Sequence, residues 1–71
     1  MDYLKVLEGA LIKEEYYMYT IIVEDRHSCI WNKRLILHEC KKLDIKEIII
    51  KSNCVYVNGY ICIEEVQTGA D

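Results

Sequence analysis

The sequence predicts a small α+β domain, an antiparallel sheet with one amphipathic helix packed on one face. Three observations lead there. Asn58-Gly59 lies between two β-rich runs, Cys54–Val57 and Tyr60–Ile63, which is the strongest short-range hairpin signal a sequence carries. Residues 16–24 are mostly aromatic and β-branched, which suits a pleated, half-buried surface. Residues 33–43 repeat apolar side chains at helical spacing.

The hairpin is read with a two-residue turn. Asn tolerates positive φ and Gly adopts it freely. That turn pairs Val57 with Tyr60, Tyr56 with Ile61, Val55 with Cys62 and Cys54 with Ile63. Cys54 and Cys62 then project to opposite faces, and both faces are apolar. A hairpin with one wet side alternates apolar and polar residues. Two covers are therefore expected: the helix, and another strand layer, the N-terminal segment or a second copy of the chain.

Residues 3–13 fit two patterns. Leu4, Leu7 and Leu11 have helical spacing, but Gly9 costs such a helix about 1 kcal/mol relative to Ala. The strand alternative is preferred here, with Gly9 as a bend and Glu14-Glu15 turning the chain back. In the 16–24 strand, Tyr17, Tyr19, Ile21 and Val23 share one face, and Tyr16, Met18, Thr20 and Ile22 share the other. Residues 25–31 read as a connection. Asn32 is a suitable N-cap for the helix that follows. That helix buries Ile36, Cys40 and Leu43 and shows Lys33, Arg34, His38, Lys41 and Lys42 to solvent. Residues 47–51 form a short strand, Ser52-Asn53 a turn, and residues 47–65 a three-stranded meander. The predicted order is β-β-α-β-β-β within a single domain, 1–71, with residues 66–71 as a frayed tail.

Composition limits the rest. The chain has 71 residues, of which 52% are hydrophobic and eleven are Ile, with no Pro. A chain this short buries only about 60% of its unfolded surface, so self-association would help it. The formal charge is −3. Residues 26–51 hold seven basic and three acidic groups, a net +4, and the two flanks hold the remaining acids, a net −7. Abundant Ile and Lys fit AT-rich codons, such as those of a low-GC bacterium or its phage. No apolar run is long enough for a membrane span, and Met1-Asp2-Tyr3-Leu4-Lys5 has no signal-peptide pattern, so a cytoplasmic protein is expected. The four cysteines read as reduced, buried thiols.

No constellation reads as catalytic, so no enzyme, cofactor or metal is expected. His27-x-Cys29 and His38-x-Cys40 carry zinc-type ligands, but two residues along a helix separate side chains by about 200°. The expected function is a small non-enzymatic protein-interaction module, a bacterial or phage accessory or inhibitor protein that binds and blocks a partner. Its contact set is an acidic rim of Glu14, Glu15, Glu24, Asp25, Glu64 and Glu65 with Tyr16, Tyr17 and Tyr19. Charges at strand ends also keep a sheet soluble, which is the plainer reading of each cluster. The expected partners are another protein and, through the second apolar face, a second copy in a homodimer. The alternative is a nucleic-acid-associated regulator using Lys33, Arg34, Lys41 and Lys42.

Overall fold

The computed structural model describes residues 1–66, with backbone alone at residues 27 and 28. Seven elements follow one another: α1 (Tyr3–Ala10), β1 (Met18–Val23), β2 (Arg26–Asn32), α2 (Lys33–Cys40), β3 (Ile48–Ile50), β4 (Cys54–Val57) and β5 (Ile61–Glu65). The strands form one five-stranded sheet in the order β2-β1-β5-β4-β3, and every neighbouring pair is antiparallel. The predicted α+β class, the antiparallel sheet and the 47–65 meander stand, and so does the helix after Asn32, although it ends at Cys40 and leaves Leu43 exposed. The predicted tail lies outside the described residues apart from Val66.

The first correction is at the N-terminus, where residues 3–10 are a helix rather than a strand. Asp2 caps it by accepting the Lys5 amide at 3.3 Å. Helical spacing sends Leu7 and Leu11 to the same side, and both are almost fully buried. A strand would have split Leu4 from Leu7, so tertiary burial outweighs the local cost of Gly9. The fold therefore has two helices, and its order is α-β-β-α-β-β-β.

The second correction is the predicted connection at residues 25–31: all of it after Asp25 belongs to β2. Val23 pairs with Arg26 across Glu24-Asp25, with φ of 51° and 65°. This is a two-residue turn with positive φ at both positions and no glycine, so its sequence carries no hairpin signal. Pairing moves from Ile21–Cys29 to Ile22–His27, leaving Ser28 as the extra residue of a bulge.

The third correction is the register of the 54–65 hairpin. Asn58 and Gly59 do have positive φ, 55° and 77°. The pairs, however, are Val57 with Ile61, Tyr56 with Cys62, Val55 with Ile63 and Cys54 with Glu64. Tyr60 joins the loop, and β5 slips by one residue. A one-residue slip turns every side chain of the strand over. Ile61 and Ile63 thereby join Val55 and Val57 in the core, whereas the predicted register would have placed Tyr60 and Cys62 there.

The core is one cluster: Leu7 and Leu11 from α1 and its cap, Ile36 and Cys40 from α2, and Tyr19, Ile21, Val55, Val57, Ile61 and Ile63 from the sheet. All six sheet residues lie on one face, so both helices cover that face. Asn32 caps α2 as expected, its Oδ1 accepting the Leu35 amide at 3.0 Å.

Candidate functional site

The face turned away from the helices is the most distinctive surface of the molecule. Strand alternation places Met18, Thr20 and Ile22 of β1 on it, with Ile30 of β2, Ile49 of β3, Cys54 and Tyr56 of β4, and Cys62 and Glu64 of β5. One row crosses the sheet as Ile49, Tyr56, Cys62 and Ile22. The next row carries Cys54, Glu64, Thr20 and Ile30. Met18, Ile30 and Ile49 are 40–50% exposed. No other described element packs over this face. Lys51 lies at its margin, with its ammonium 5.2 Å from the Tyr56 ring centroid. Neither predicted contact set includes this surface, except for Glu64. A second apolar face is expected from the sequence, but the one-residue slip changes its membership: Cys62 and Glu64 join Cys54 and Tyr56 there in place of Ile61 and Ile63.

The predicted acidic rim is divided between the two ends of β1. Tyr19 pairs with Glu65 and Thr20 with Glu64 near the start of the strand, where the chain arrives from Glu14-Glu15. Glu24-Asp25 turns the chain at the other end. There the Glu24 amide donates to the Tyr60 carbonyl at 2.9 Å, tying the two hairpin loops together. Glu65 is engaged within the chain, 3.7 Å from Lys13.

The three tyrosines have different settings. Tyr19 is a core residue, only 2% exposed, and its hydroxyl accepts the Lys13 amide at 3.3 Å. Burial pushes its phenol pKa up. Tyr17 stacks edge-on against it with ring centroids 5.0 Å apart, and donates to the Val66 carbonyl at 2.6 Å. Only Tyr16 is open to solvent.

The basic residues of α2 fall on the helix layer, on the opposite side of the molecule from the apolar face. Arg34 and Lys41 line a shallow groove between the helices with Lys5, His38 and Glu8. Lys33 is half-buried, and Lys42 pairs with Glu39 at 3.5 Å. A separate apolar recess of about 320 Å³ lies between α2 and the sheet, lined by residues that include Trp31, Ile36 and Leu43.

All four cysteines are thiols. Cys40 is in the core, where burial pushes its thiol pKa up and Glu39 adds to the effect. Cys54 and Cys62 share the open face, contrary to the prediction that they diverge. Among the described residues, no three or more His, Cys, Asp or Glu side chains gather as a metal cluster, and no helix is long and apolar enough to cross a membrane. Comparison of the chain with protein-family models, with curated proteins and with solved structures finds no match.

Proposed function

We propose that this chain is a non-enzymatic protein-interaction module that docks through its open sheet face, with a second copy of itself as the simplest partner. One observation carries the reading: a mainly apolar five-stranded face, broken by Thr20 and Glu64, that no other described element covers. Contiguous exposed apolar surface of this kind marks an interaction site more often than chance. A two-fold dimer lets one such patch meet itself. Strands spaced by about 4.8 Å and rising about 3.4 Å per residue give this face a footprint of roughly 400 Å². Two copies then bury roughly 800 Å², below the usual size of a stable specific interface, so the association is weak and concentration-dependent.

The phosphate-binding alternative has less support. Glu8 lies in the helix groove and Glu39 neutralises Lys42, so the basic face is mixed in sign. Phosphate tracking needs cations without such neighbours.

The test is light scattering from micromolar to millimolar protein, on the native chain and on an Ile30→Lys, Ile49→Lys double variant. Both positions are about half exposed, so the substitutions should change folding stability by less than about 0.5 kcal/mol each. The expected result is a dimer that forms as concentration rises and is lost in the variant. A native monomer at every concentration, or a dimer unaffected by the substitutions, overturns self-docking on this face.

A further inference from the structure

We infer that Cys54 and Cys62 form a two-thiolate site for a soft monovalent metal ion of the Cu(I) class. The observation is one of register. Cys54 pairs with Glu64 and Tyr56 with Cys62, so the two cysteines are diagonal neighbours on adjacent antiparallel strands, on the same face. Tyr56 and Cys62 each feel the charge of Cys54, and Tyr56 that of Cys62, so the phenol and the two sulfurs are close neighbours. Both cysteines are partly exposed, so an ion can reach them from solvent.

The spacing selects the chemistry. Diagonal neighbours have Cα atoms about 7–8 Å apart, beyond the roughly 4.4–6.8 Å that a disulfide spans. Direct S–S bonding would need the backbone to move. An ion placed between the sulfurs lengthens the bridge and removes that need. Zinc would require four nitrogen, sulfur or carboxylate ligands, and no such cluster exists among the described residues. Soft thiolates favour Cu(I), which two sulfurs can satisfy.

The balance of the step is simple. Each thiol releases its proton to solvent, two Cu–S bonds form, and no electron is transferred. The loaded pair carries one net negative charge. Lys51 lies over the Tyr56 ring and supplies nearby positive charge, while Glu64 beside Cys54 opposes it. Proton release makes uptake stronger as pH rises.

The site does not depend on the docking reading, although it lies on the same face. The test is therefore run anaerobically on dilute, reduced protein below any self-association range. Protein is added to the coloured Cu(I) complex of bicinchoninate, and the loss of colour counts the copper removed. The expected result is one Cu(I) per native chain, no uptake by Cys54→Ser or by Cys62→Ser, and native uptake by Cys29→Ser. Circular dichroism checks that each variant is folded. No uptake by the native chain overturns the site. So does uptake that survives in both the Cys54 and Cys62 variants.

Discussion

Asn58 holds Lys46 in place, its side-chain Oδ1 accepting the Lys46 amide at 2.7 Å. The same oxygen accepts the Glu47 amide at 3.2 Å, and Nδ2 donates to the Asp44 carbonyl at 3.2 Å. The Asn58 amide in turn donates to the Glu47 carbonyl at 2.9 Å. A residue required by its turn for positive φ thus also fastens the segment that leads from α2 into β3. This explains how β3, only three residues long, keeps its place at the sheet edge.

Asn58→Gly separates the two roles. Glycine keeps the φ of 55° available but removes three side-chain hydrogen bonds. Partly exposed bonds contribute about 0.5–1 kcal/mol each, so a loss of about 2 kcal/mol is expected in urea unfolding. Amide exchange in β3 should rise more than exchange in β1. A variant as stable as the native chain would show that the turn conformation alone matters here.

Asn58-Gly59 was readable as a turn because its residue types match its dihedral angles. The offset of the strands behind it was not readable, since the turn alone does not say whether Tyr60 belongs to β5 or to the loop. Burial decides: Ile61 and Ile63 fill the core against Val55 and Val57, and a sequence without three-dimensional context does not rank that against the shorter loop. The α1 error has a related cause. Leu7 and Leu11 gain their stabilisation from α2 and the sheet, which local propensity does not weigh. Tyr19 and Ile21 could be placed on one face because alternation within a single strand needs no partner. A second apolar face was legible in the sequence, but which residues of β5 lie on it needed the register.

The turn at Glu24-Asp25 offers a gain in stability. Both residues have positive φ, which costs an L-residue about 1–2 kcal/mol, less for Asp than for Glu. Replacing them with Asn and Gly (Glu24→Asn, Asp25→Gly) gives this two-residue loop the residues it favours. The backbone bond from residue 24 to the Tyr60 carbonyl is kept. An increase of about 1 kcal/mol is expected in urea unfolding, which corresponds to a melting temperature several degrees higher for a chain of this size. A decrease would mean that the two carboxylates make contacts the turn geometry does not account for.

The last prediction concerns alkaline stability. Burial raises the Cys40 thiol pKa above its ordinary value of 9.0, with Glu39 as the second cause, and burial raises the Tyr19 phenol above 10.0. In the unfolded chain both groups ionise at their ordinary values. Above pH 9 the unfolded state therefore holds fewer protons than the folded state, and stability falls as pH rises. The contribution of Cys40 is fully present below pH 9.0 and is lost as pH climbs through the raised folded value. Urea midpoints measured from pH 7 to pH 11 should be level at first and then decline. Cys40→Ala lowers stability throughout, because it empties part of the core, but removes one of the titrating groups. Its decline should be shallower than that of the native chain just above pH 9. Parallel profiles for the two proteins would show that ionisation of Cys40 does not contribute to alkaline unfolding.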